Sequence, residues 1–178
     1  MALILTKPTI GSTDWGTAMN SNLDKIMVAS GYIVAKDYKP SGTSGGAFTS
    51  GAWQRRVLNT LETDTLGVAS LASNAMILPA GTYQCQASAP AFRVGSHQTR
   101  LRNINLSTTL VIGCTAFAES RSYGDVSRSF LSGRFTLATP ASVCVEHRCT
   151  ASNSTHGFGL ASSFDIPGLY TVLEIWST

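Results

Sequence analysis

The chain is short of charge. Only 13% of its 178 residues are Asp, Glu, Lys or Arg, about half the usual share of a soluble domain. A net charge of +3 is too small to argue for nucleic acid. The basic residues are scattered except at Arg55-Arg56 and from Arg93 to Arg102, with no stacking aromatics interleaved. Solvated or interface arginines are therefore expected, and no nucleic-acid partner. Long apolar runs are missing too. The first, Ala2-Leu3-Ile4-Leu5, halts at Lys7-Pro8, too short for a secretory h-region and with no charge ahead of it. No stretch nears the ~18 apolar residues of a membrane helix. The expectation is a chain with no cleaved address and no membrane insertion.

Motifs of chemistry are equally thin. Three histidines, His97, His147 and His156, are too few and scattered to nominate a site; the first two fall in strands whose neighbours read as packed. A nucleophile elbow, Gly-x-Ser-x-Gly between strand and helix, is absent. The Gly-rich stretches 42–46 and 157–159 lack the Lys-Ser/Thr and helix of a phosphate loop. Glu62, Asp64, Glu119, Asp125, Glu146, Asp165 and Glu174 are too dispersed for a glycosidase pair. No catalysis, cofactor or metal is expected. The cysteines, Cys85, Cys114, Cys144 and Cys149, show no CxxC spacing. Free thiols are expected, with Cys85 and Cys114 acting as small buried hydrophobes in apolar stretches.

What the chain does have is apolar residues, 43% of the total, and Ser plus Thr at nearly a quarter. That balance suits a β protein whose surface is neutral or covered by partner subunits. From Ser12 to Gly31 the spacing predicts one helix. Thr13 or Asp14 caps it, Trp15, Met19, Leu23 and Ile26 form a stripe, and Gly31 stops it. Beyond Gly31 the period is two. Strands are predicted at 32–37, 52–59, 71–78, 82–91, 98–105, 108–118, 129–137, 142–150, 157–164 and 169–176, separated by turns such as Pro79-Ala80-Gly81. About ten short strands with no helices between them mean an antiparallel sandwich, best read as a ten-strand jelly roll. The organisation expected is an attachment segment with its amphipathic helix, 1–31, and a head domain, 32–178.

Several strands are apolar on both faces, as where Leu173 and Ile175 oppose Tyr170, Val172 and Trp176. One sandwich buries a single face of each strand, so a subunit contact is expected through Tyr83, Phe130, Tyr170, Val172 and Trp176. Specificity is then left to loops. Two qualify: 119–127, with Arg121, Tyr123 and Asp125, and 151–156, with Asn153 and His156. Their side chains offer polar tips and hydrogen-bond forks to sugar hydroxyls or peptide groups.

The motif order resembles the trimeric jelly-roll heads of the tumour-necrosis-factor and complement-head superfamily, in its bacteriophage branch. The residues carrying the likeness are Phe48-Thr-Ser-Gly-Ala-Trp-Gln-Arg-Arg-Val-Leu-Asn-Thr, Asp64, Leu78-Pro-Ala-Gly-Thr-Tyr, His97 to Asn103, Phe130-Leu-Ser-Gly-Arg-Phe-Thr, His147-Arg148, Gly157-Phe-Gly and Leu169-Tyr-Thr-Val-Leu-Glu-Ile-Trp. Thr6-Lys-Pro-Thr-Ile-Gly-Ser-Thr-Asp-Trp-Gly-Thr is similar to leaders of phage tail-fibre proteins. The resemblance implies a homotrimer on a virion, assembled in the host cytoplasm, joined to other virion proteins by the N-terminal segment. As a fibre tip or adhesin it would meet a host-surface glycan or protein. The alternatives are a purely structural virion part (decoration, plug or adaptor) and a stand-alone carbohydrate-binding module.

Overall fold

The computed structural model describes residues 15–29, 31–119 and 125–178, with side chains of all of these except 24–29. Helix α1, Trp15–Ala29, leads into eleven strands. They are β1 (Tyr32–Lys39), β2 (Gln54–Arg55), β3 (Thr60–Asp64), β4 (Ser70–Ala72), β5 (Ala75–Leu78), β6 (Gly81–Phe92), β7 (Gly95–Asn103), β8 (Thr108–Ala118), β9 (Val126–Leu137), β10 (Ala141–Cys149) and β11 (Gly168–Ser177). They form two antiparallel sheets, ordered β3-β1-β11-β6-β9 and β4-β5-β10-β7-β8, with β2 added to β10. The all-β sandwich expected from the alternation is what the chain forms.

Pairing in this sandwich is nested. The hairpin β7–β8 is innermost, β6 pairs β9 around it, β5 pairs β10 around that, and β1 pairs β11 outermost. Except at the hairpins β4–β5 and β7–β8, successive strands from β3 onward change sheet, so each inward-facing row meets the other sheet across the core. Along β6, Tyr83, Cys85, Ala87 and Ala89 are buried while Gln84 and Gln86 are exposed, the alternation the sequence shows. The main core joins Ile33, Leu58, Met76, Leu101, Leu131, Val143, Leu173 and Ile175. Each fully buried aliphatic side chain contributes about 1.5–3 kcal/mol.

Three expected strands turn out otherwise. Segment 71–78 is a hairpin, because Ser73 and Asn74 both take positive φ, 49° and 61°, the geometry of a two-residue turn that follows strand twist. Segment 52–59 pairs with β10 only at Gln54–Arg55 and then crosses between sheets, where Leu58 is buried. The chain then pairs with β1 as β3, a strand hidden in the sequence by its polar letters, Thr-Leu-Glu-Thr-Asp. Segment 157–164 is no strand. It packs as an irregular turn against loop 42–48, with Gly45 donating to the Gly159 carbonyl and Phe158 to that of Gly46. A Cβ on Gly45 would collide with the Phe158 carbonyl, which accounts for glycine there. On the helix, Trp15, Met19 and Leu23 are all exposed; the expected cap at 13–14 lies outside the described residues.

Candidate functional site

One end of the sandwich carries a small second core of Phe48, Ala91, Val94, Ala118, Cys149 and Phe158. Polar groups are set into it. Arg56 is fully buried, against the expectation of a solvated arginine, because the crossing from β2 turns it inward. Its Nε donates to Thr171 Oγ1 at 2.9 Å, Nη2 to the Phe158 carbonyl at 2.9 Å and Nη1 to that of Pro90 at 3.4 Å. The guanidinium also lies 4.0 Å from the Phe158 ring centroid. Burial lowers its pKa to about 9, partly offset by Asp37. Asp37 is itself buried, 3.5 Å from Lys39 Nζ, and burial raises its pKa.

Beside Arg56 runs a hydrogen-bonded line. Ser127 Oγ lies 2.7 Å from His97 Nε2, and His97 Nδ1 lies 2.9 Å from His147 Nε2. The order is that of a nucleophile, a base and an orienting group. Its electrostatics are wrong for that work. Burial, then the Arg56 charge, lower the His97 pKa to about 4 and hold His147 well below the usual range. A base must gain a proton near working pH. Among the described residues no carboxylate bonds to the line, and it links β9, β7 and β10 as neutral imidazoles. Among the described residues no cluster of three or more His, Cys, Asp or Glu has metal-binding geometry.

The described parts of both expected binding loops, 119 with 125–127 and 151–156, come to this same end. Phe92 pairs with Val126 at the start of β9, and its carbonyl accepts from Asn153 Nδ2 at 3.2 Å. Asn153 is nevertheless committed to the scaffold: its Oδ1 accepts from the backbone of Thr155 and His156, and its backbone pairs both ways with Phe48. His156 is half-buried, edge-on to the Phe92 ring at 6.5 Å. Asp125 is exposed. Arg121 and Tyr123 lie outside the described residues.

The expected subunit-contact residues divide. Tyr83 belongs to the chain's own core, stacked on Phe135 at 5.4 Å with its hydroxyl donating to the Pro79 carbonyl. Tyr170 is buried too, donating to the Thr43 carbonyl. Both corrections have one cause: these rings close the ends of their own sandwich. Val172, Trp176 and Phe130 do lie on the outer face of the five-stranded sheet. Register places Tyr32, Trp176, Gln84 and Arg134 in one row, Val34, Glu174, Gln86 and Ser132 in the next, and Lys36, Val172, Ser88 and Phe130 in a third. Trp176 stacks on Tyr32 at 5.2 Å. A cleft of about 460 Å³ opens at the third row, lined by Gln86, Ser88, Phe130, Val172, Glu174 and Cys114.

All four cysteines are free; Cys85, Cys144 and Cys149 are buried but Cys114 is exposed. The apolar stretch around Cys114 misled because β8 is an edge strand and Cys114 opens onto the cleft beside Phe130. Ile112 and Phe117 on β8 and Val126 and Phe130 on β9 are exposed as well, at 71%, 58%, 52% and 55%. Sequence reasoning singled out Phe130 and missed the other three; the two strands that carry them meet where Ser129 Oγ donates to the Cys114 carbonyl at 2.6 Å. No protein-family model matches the chain, and no curated protein matches it in sequence.

Proposed function

We propose that the chain is a non-catalytic jelly-roll head of the tumour-necrosis-factor type, a homotrimer at the tip or surface of a bacteriophage virion. Nested strand pairing and the two strand orders support the jelly roll. The observation carrying the assembly is the apolar corner of β8 and β9 beside an outer sheet face that bears Tyr32, Val172 and Trp176. Monomers seldom leave such patches open. The proposed trimer sets the β8–β9 corner of one copy against the Tyr32 and Trp176 part of the next copy's sheet face, a heterologous contact that closes into a ring on a three-fold axis. Loops at the Phe92 end would then face the host, and the exposed stripe of α1 would join the rest of the virion.

Light scattering should give three times the chain mass. Phe130→Arg, at an exposed position in this fold, should release folded monomer; a wild-type monomer at micromolar concentration would overturn the reading. Labelled protein should bind host cells, and the triple change Arg121→Ala, Tyr123→Ala and Asp125→Ala should abolish that binding at unchanged trimer mass. A second reading, a structural virion part, draws on the scaffold commitments of Asn153. It predicts that the trimer leaves host cells bare.

A further inference from the structure

The outer face of the six-stranded sheet gathers arginine. Register sets Arg55, Glu146 and Arg100 in one row, Arg148 and Gln98 in the next, and Arg102 on the other side. Four arginines stand against one carboxylate. Glu146 is already engaged: Arg100 donates to it at 2.6 and 2.8 Å, and Arg102 at 3.3 Å. Arg148 is exposed and makes no ion pair or hydrogen bond among the described residues.

Arg148 borders a groove of about 190 Å³, lined also by Trp53, Ser96, Gln98, Thr115 and Thr150. The Trp53 indole is held by the Arg100 guanidinium, 4.2 Å from its ring centroid. The volume falls below the ~300–1,000 Å³ of pockets that enclose a whole small ligand. It suits one ring of a chain that continues across the open sheet.

We propose that this groove binds an acidic polysaccharide, seating one uronate ring against Trp53 with its carboxylate on Arg148. An indole offers the apolar face that a pyranose ring packs against, while the planar guanidinium fork matches a carboxylate with two parallel hydrogen bonds. Ser96, Gln98, Thr115 and Thr150 supply neutral partners for ring hydroxyls. The excess of arginine extends the attraction along a polyanion. Single-stranded nucleic acid fits less well, because it needs successive aromatic platforms and the groove holds one. The inference rests on reading the chain as an attachment head and names the ligand class of that head, on the sheet face adjoining the 151–156 loop.

The test is calorimetric titration of the full-length protein with a galacturonate tetrasaccharide, with maltotetraose and single-stranded oligonucleotide in parallel. Galacturonate should bind, more weakly as salt is raised, and maltotetraose should not. Arg148→Gln should weaken binding about tenfold or more at unchanged melting temperature, since that side chain has no partner to lose. Trp53→Phe should weaken it as well. The proposal is overturned by equal binding of maltotetraose, by tighter binding of the oligonucleotide, or by an affinity indifferent to Arg148→Gln. It is also overturned if galacturonate fails to bind a trimer that still decorates host cells, and the attachment reading then survives alone. Galacturonate binding through Arg148 by a protein that ignores cells upholds the groove and removes the attachment reading instead.

Discussion

At one end of the sandwich Ile33, Met76, Leu101 and Leu173 pack apolar side chain on apolar side chain. At the other, Phe48 and Phe158 share their space with a buried guanidinium and two buried imidazoles. The first end is held by area removed from water, which is non-directional and tolerates exchange of similar shapes. The second is held by directed bonds. Arg56 reaches carbonyls on two separate segments and a hydroxyl on β11, so the irregular turn at 157–160 is fixed in place without a ladder. Where strand pairing ends, charge takes over the task of specifying the backbone.

Four measurements would break or sharpen that contrast. Among the substitutions Arg56→Ala should have the largest effect, about 3–5 kcal/mol, because it strands the buried acceptors and leaves Asp37 with Lys39 as its remaining nearby cation. Urea melts showing a loss under about 1 kcal/mol would erase the distinction between the ends. Acid should act next, and only on the polar end. Unfolded histidine titrates near 6.5, whereas His97 folded titrates at about 4 and His147 is also depressed. The unfolded chain therefore binds more protons as pH falls through that window. Stability should be full above about pH 6.5 and decline toward pH 4, by up to about 1.4 kcal/mol per pH unit for each imidazole. The raised pKa of Asp37 works in the opposite sense. Double replacement, His97→Asn with His147→Gln, should flatten the slope; a slope that survives would assign acid sensitivity elsewhere.

In the apolar end, Ile33→Val should cost about 0.5–1.5 kcal/mol at every pH, a flat offset in the same series of melts. The smallest effect belongs to Cys114, which lies outside both cores. Cys114→Ser should leave stability within about 0.5 kcal/mol, yet remove the one fast thiol seen by a thiol reagent in the native protein. Cys85 and Cys149, both with pKa raised by burial to about 11, should react only on unfolding.

Much of the sandwich was legible in the sequence because alternation is a local signal. Strands β6, β8 and β11 were found to within one or two residues from their period-two pattern. Features set by distant contacts were not. Nothing in Arg55-Arg56 tells which of the two faces solvent, since the answer depends on where the segment leaves β10. The hairpin at Ser73-Asn74 lacks the glycine that marks such turns. The line of His97, His147 and Ser127 draws on three strands, so no spacing could show it. Likewise Trp53 and Arg100 are remote in sequence, and the groove between β2 and β8 has no linear motif. The loops were identified by composition, which gave no sign that Asn153 is spent on the backbone around it.

The nested pairing also governs the order of events in time. Strand β1 finds its partner in β11, and the closing bond from Gly31 to Ser177 spans 146 residues. Only the β4–β5 and β7–β8 hairpins can form from neighbouring segments; every other pairing must wait for a longer loop to close, at a rising entropic cost. Such dominance of distant contacts places folding on the millisecond-to-second scale. On the ribosome the first strand emerges long before the last, so β1 can pair with β3 early but must leave its other edge open until synthesis has passed Ser177. The five-stranded sheet, and any surface built on it, is therefore the last part of the molecule to come into being.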